Sequence, residues 1–162
     1  QHIISCAYLG KKYVIEQHER ICQLIAAIMK RKDRNIDVRR ENYSERQKIR
    51  AQEGANSHRA DITFKRGLQT ESIDVIVTSS NNDARGNNVT RAWGVKQREY
   101  GKEQGLHIVL FDTTGNLTNE SWNFLESVGV RSNDLRIMQK IIYECTERKI
   151  KEVIENYKHM KD

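Results

Sequence analysis

The stretch that decides the fold is His58–Ser79, HRADITFKRGLQTESIDVIVTS. It contains two strand-like runs, Ala60–Lys65 and Ser72–Thr78, joined by a polar turn around Gly67. Each run carries one aspartate among apolar or β-branched neighbours, Asp61 in the first and Asp74 in the second. A carboxylate buried alone is costly and avoids such a setting unless it is paired or metal-bound. On the two strands of a hairpin the two acids would lie side by side. Their mutual repulsion then calls for a cation between them, and a hard divalent metal with oxygen ligands meets that need. The plainer alternative is that each Asp caps a strand end.

Downstream, Asn81, Asn82, Asp83, Gly86 and Asn87 make a turn-rich loop, and Asn87 or Asn88 can cap a helix over Val89–Glu103. Val89, Trp93, Lys96 and Tyr100 fall on one face of that helix. A lysine inside an apolar stripe either snorkels to water or reaches the carboxylates. After Gly105, the uninterrupted run Leu106–Phe111 reads as a buried strand, parallel to Ser72–Thr78 across a helical crossover. A turn at Thr113–Asn116 leads to a short helix, Glu120–Ser127, capped by Thr118 or Asn119 and ended by Gly129. Ser132 or Asn133 caps a last helix that runs to about Lys158, with one apolar face and a charged, solvated remainder.

Upstream, Lys12–Arg31 has helical periodicity, with Tyr13, Ile15, Ile21, Leu24, Ile25, Ile28 and Met29 as a wide apolar stripe. Cys22 lies near that stripe and reads as core; His18 reads as structural or surface. Arg34–Arg40 reads as a basic connector, Tyr43–Arg50 as a strand or helix of low apolarity, and Glu53–Ser57 as a loop. The order is helix, two or three strands, helix, strand and two added helices. That is an α/β fold with a central mixed sheet flanked by helices.

Length and composition bound the rest. A chain of 162 residues with 37% hydrophobic content fits one domain with a modest core. The net charge of +6 favours a polyanionic partner, although solvated lysine accounts for it as well. Three widely spaced cysteines make no disulfide framework and fit a reducing compartment. No run approaches a membrane span. His2 and Cys6 have metal-ligand spacing, but zinc needs four ligands, so zinc is expected only if others lie upstream in a longer protein.

Taken together, the residues resemble the restriction-endonuclease-like, PD-(D/E)XK fold. More narrowly they resemble the endonuclease domain of reverse-transcriptase proteins from non-LTR (LINE-type) retrotransposons. The resemblance rests on an ordered set. Arg59-Ala60-Asp61 and Asp74, twelve residues on, match the family's R/H-P-D…D motif, with Ala60 where the family has Pro. Lys96 and Tyr100 match its K-x-x-x-Y. His2 and Cys6 would be the last ligands of its Cys/His knuckle, one residue short of the commonest spacing, and Gln17-His18-Glu19 stands where R-H-N is common. Ile76, two after Asp74, breaks the D-x-K of restriction enzymes; the family takes its lysine from the helix instead.

The resemblance implies a division into a knuckle remnant (1–10), an αβββαβ core (11–117) and a helical extension (118–162). It implies an Mg- or Mn-dependent endonuclease that nicks target DNA to prime reverse transcription in the nucleus. The partners would be target DNA, element RNA and the rest of the reverse-transcriptase polyprotein, without a membrane. Asp61, Asp74 and the Val75 carbonyl would hold the metal. Lys96 would orient or deprotonate the attacking water, and Tyr100 and Arg59 would touch Lys96 or phosphate. Glu45 and Glu53 are the candidates for a further acid, and Arg39, Arg40, Lys65 and Arg66 for tracking the DNA backbone. A nucleic-acid-binding module with a degenerate core, and a junction-resolving enzyme of the same fold, remain alternatives.

Overall fold

A computed structural model describes residues 11–41, 60–78, 82–83, 86–87, 94 and 105–161. Among them, three helices and six strands form an α/β arrangement: α1 (Lys11–Lys32), β1 (Val38–Arg40), β2 (Ile62–Arg66), β3 (Gln69–Thr78), β4 (Asn82–Asp83), β5 (Gly86–Asn87), β6 (Leu106–Asp112), α2 (Asn119–Ser127) and α3 (Ser132–Lys161). The main sheet has the order β1-β2-β3-β6, and among the described residues β4 and β5 pair with each other. β1, β2 and β3 are antiparallel neighbours, and β6 is parallel to β3, so the sheet is mixed.

The β2–β3 hairpin forms where the sequence places it. Arg66 pairs with Gln69 across a two-residue turn. Gly67 leads that turn at φ +64, the conformation demanded of the first residue of a type II′ hairpin. Alternation along the strands sends Ile62, Phe64, Ile73, Val75, Val109 and Phe111 into one core with Ile21, Ile25 and Met29 of α1 and Met138 and Ile142 of α3. Each such side chain contributes about 1.5–3 kcal/mol on burial. β6 is buried on both faces over Ile108–Phe111, which explains its uninterrupted apolar run. At its outer edge, Ser121 of α2 accepts from Leu110 N at 2.9 Å and donates to Ile108 O at 3.3 Å. One hydroxyl thereby satisfies the edge of this strand.

The sequence reading differs from the structure in the stretch called a basic connector. Val38–Arg40 is a strand, paired Val38↔Phe64, Arg39↔Thr63 and Arg40↔Ile62. Three residues, two of them arginine, carry no period-2 signal, and charge on an outer strand suits an edge. Of the helix expected over Val89–Glu103, only Gly94, which is helical, is among the described residues. The run Tyr43–Arg50 lies outside them.

The helices are joined at one corner. α2 ends in a Schellman turn: Val130 N donates to Leu125 O and Gly129 N to Glu126 O. Gly129 has φ +106, which favours glycine, and a Cβ there would crowd the Lys32 side chain at 3.0–3.1 Å. Lys32 Nζ donates to Ser127 O at 2.8 Å and Arg31 to Gly129 O at 3.2 Å, which places the cations of α1 on the carbonyl end of α2. Thr118 caps α2, as expected, by accepting from Ser121 N. For α3 the cap differs. Ser132 and Asn133 fall in its first turn, and the buried Asp134 reaches back to accept from Arg131 N at 2.9 Å.

Arg31 also holds Asp134 with two parallel bonds, of 3.0 and 2.7 Å. The Arg31 hydrogen bonds hold the Asp134 carboxyl below its ordinary value of 3.8, against the opposing effect of burial. A lowered folded-state value means that this contribution is fully present above pH 3.8 and is lost as pH falls through the folded value. Asp134→Ala is expected to cost about 1–3 kcal/mol in urea unfolding at neutral pH. The gap between variant and wild type should narrow as pH is lowered below 3.8; a gap that widens would contradict the pairing.

Candidate functional site

The antiparallel ladder between β2 and β3 ends at Ile62↔Ile73. One residue further along each strand come Asp61, just outside the ladder, and Asp74. Both acids are buried, at 2% and 5% exposure. The next rung would bring Ala60 opposite Val75. Instead the Val75 N–H is taken by the Asp61 side chain, Oδ2, at 2.8 Å. The carboxylate thus replaces a main-chain acceptor and closes the ladder. The same alternation of main-chain groups turns the Val75 carbonyl toward the β2 side.

Asp61 Oδ2 has a second partner on another element. His18 Nε2 of α1 lies 3.0 Å away. Around His18 the helix adds two more groups. Cys22, one turn on, has its Sγ 3.9 Å from the same Nε2. Glu19 Oε1 lies 3.7 Å from His18 Nδ1, on the other side of the ring. Glu19 is in turn anchored by Arg40 of β1, whose Nη1 donates to Oε2 at 2.9 Å. The result is a chain of polar groups, Arg40–Glu19–His18–Asp61–Val75 N–H, that runs from the edge strand through α1 to the middle of the sheet. His18, Cys22 and Asp61 each offer a ligand atom, and all three atoms lie within 4.8 Å of one another.

Asp74 sits on β3 beside Ile108 of β6. By strand alternation its side chain belongs to the face opposite Ile73 and Val75. Ile108 and Leu110 are buried there too, outside the main hydrophobic cluster. Asp74 is therefore an acid at the centre of the sheet, flanked by apolar residues.

The basic residues expected along DNA separate into two places. Arg39 and Arg40 lie on β1 beside the Asp61 end of β2, with Arg39 largely exposed and Arg40 committed to Glu19. Lys65 and Arg66 lie at the hairpin end of β2, about 13–17 Å from Asp61 at a strand's rise. Arg66 there pairs with Glu71 at 3.0 Å and covers the Phe64 ring. Glu71 also bonds His107 at 2.7 Å. Arg59, Lys96, Tyr100, Glu45, Glu53, His2 and Cys6 lie outside the described residues.

The residues that sequence reasoning missed are His18, Cys22 and Glu19. The H-x-x-x-C spacing on one helix face was visible, but the third member, Asp61, is 43 residues from His18. No local pattern links them. No family model matches the chain, and a comparison with curated proteins finds no match. The function therefore has to be argued from these residues.

Because Asp61 serves as acceptor for a buried N–H, removing it leaves that donor unsatisfied. Asp61→Ala is expected to destabilise the fold by about 1–3 kcal/mol in chemical denaturation. Asp61→Asn, which keeps an oxygen acceptor, should cost less. Equal stability of Asp61→Ala and wild type would show that the ladder closes without the carboxylate.

Proposed function

We propose that the chain is a divalent-metal-dependent DNA endonuclease of the restriction-like type, nicking target DNA as part of a retrotransposon reverse-transcriptase protein. The observation that carries this reading is the burial of two aspartates, Asp61 just before β2 and Asp74 on the neighbouring β3. The order α1, β1, β2, β3 and then a parallel β6 supports it, since an αβββαβ core runs in that sequence. The excess of 28 basic over 22 acidic residues supports a polyanionic substrate.

Asp61 and Asp74, with the Val75 carbonyl, offer oxygen donors alone, which suits a hard ion of the Mg or Mn class. Such an ion, when bound, polarises a scissile phosphate and lowers the pKa of a water. The chain's own residues would do the rest. The Val75 N–H fixes the orientation of the Asp61 carboxylate, and the apolar walls around Asp74 exclude bulk water. Arg59 would hold a phosphate oxygen, and Lys96 would orient the attacking water or offset charge on the transition state. Tyr100, one turn on, would hold Lys96.

A second reading, a DNA- or RNA-binding module without cleavage, is favoured by one observation. Asp61 Oδ2 is already engaged by Val75 N–H and His18, a structural use that survives loss of catalysis. One assay separates the two. With Mg or Mn, wild-type protein is expected to nick supercoiled plasmid. Asp74→Asn and Asp61→Asn should slow nicking at least about 100-fold while far-UV circular dichroism is retained, and Lys96→Met should slow it too. Wild-type rates in either aspartate variant would sink the site assignment. Salt-dependent retardation of DNA without any nick would favour the binding module.

A further inference from the structure

We propose that His18, Cys22 and Asp61 form a binding site for one borderline-soft divalent cation of the zinc class. The site is distinct in its chemistry from the oxygen-only pair Asp61–Asp74, and the proposal does not rest on the nuclease reading. Imidazole and thiolate are poor ligands for Mg and good ones for Zn and Co.

Geometry is the first support. A tetrahedral zinc with bonds of about 2.0–2.3 Å holds its ligand atoms about 3.3–3.8 Å apart. His18 Nε2 lies 3.0 Å from Asp61 Oδ2 and 3.9 Å from Cys22 Sγ, so the two separations bracket that range. All three atoms fall within 4.8 Å of one another. His18 is 22% exposed, whereas Asp61 and Cys22 are buried.

The surroundings are the second support, because two of the three ligands, His18 and Asp61, have an outer partner. A metal on Nε2 moves the imidazole proton to Nδ1, which then needs an acceptor. Glu19 Oε1 is 3.7 Å from Nδ1 and is a buried oxygen without a hydrogen bond among the described residues. Arg40 holds the other oxygen of Glu19 at 2.9 Å, so that acceptor is fixed in place. Val75 N–H orients the Asp61 carboxylate in the same way. This is the carboxylate–histidine–metal arrangement, with its carboxylate already aimed at the ring.

Cobalt(II) titration of the metal-free chain tests the proposal. His2→Ala and Cys6→Ser are introduced together as the background, so that this pair cannot contribute. The expected result is one equivalent of cobalt with a thiolate-to-cobalt charge-transfer band in the near ultraviolet. Cys22→Ser should abolish the band and weaken binding by at least about 100-fold, more than the 10–100-fold that outer partners are worth. Cys145→Ala should leave both unchanged. Absence of the band, or its persistence in Cys22→Ser, overturns the proposal. Alkylation of Cys22, followed by peptide mapping, needs no variant at that position. Zinc should slow it and magnesium should not, and an unchanged rate with zinc also overturns the proposal. Neither readout involves DNA cleavage, so an inactive nuclease would not affect the outcome.

Discussion

A single carboxylate oxygen, Asp61 Oδ2, carries the junction between sheet and helix. It lies 2.8 Å from the Val75 N–H and 3.0 Å from His18 Nε2. The first contact ends the β2–β3 ladder, and the second ties that end to α1. A buried N–H without an acceptor costs about 1–3 kcal/mol, and a main-chain acceptor at this rung would serve it as well. What the side chain adds is a second contact, to α1, at the end of the ladder. A series of polar groups follows from that oxygen: His18 faces it, Glu19 faces His18, and Arg40 holds Glu19.

For this arrangement to persist, α1 must not slide or rotate against the sheet. Its far end is fixed by the Arg31–Asp134 fork and by Lys32 on the end of α2, about 20 Å from His18 at a helical rise. Nearer His18, Arg148 meets Glu16 at 2.6 Å and Lys12 meets Glu152 at 3.2 Å, but these exposed pairs contribute little. The stronger restraint is packing. Ile21 and Ile25 are fully buried against the sheet, and a rotation that freed His18 would expose them. The position of the imidazole is thus set by neighbours on its own helix that make no polar contact.

Much of the fold was legible where one physical signal dominated. The apolar run at Leu106 marked β6, the Gly67 turn marked the hairpin, and Gly129 marked the end of α2. β1 was not legible, since pairing defines it and its three residues have no period of their own. The site divided in the same way. Asp61 and Asp74 were conspicuous because acids are rare in apolar strands. His18 and Cys22 were passed over because, on sequence alone, a histidine and a cysteine on an apolar helix are usually core. Only tertiary contact across 43 residues puts them beside an acid. Glu19 is the harder case, since a charged residue on an amphipathic helix gives no hint that it faces inward.

Asp61 therefore stands between two donor sets of opposite character. Toward the sheet the proposed partners are Asp74 and the Val75 carbonyl, all oxygen. Toward α1 it has imidazole and thiol. One carboxylate can serve both sides through its two oxygens, but the electrostatics differ. In the proposed site on the sheet side a cation would offset the repulsion of two acids, and removing either acid would remove one of its ligands. On the helix side the acid already has a polarisable partner in His18, and a cation there must displace a 3.0 Å contact. Relief of repulsion would thus favour the proposed hard site, and ligand affinity the proposed soft one. A magnesium-class ion gains little from sulfur and nitrogen, and a zinc-class ion gains little from a second carboxylate when a thiolate is within reach. The same residue can hence be central to both without the two sites competing for the same ion.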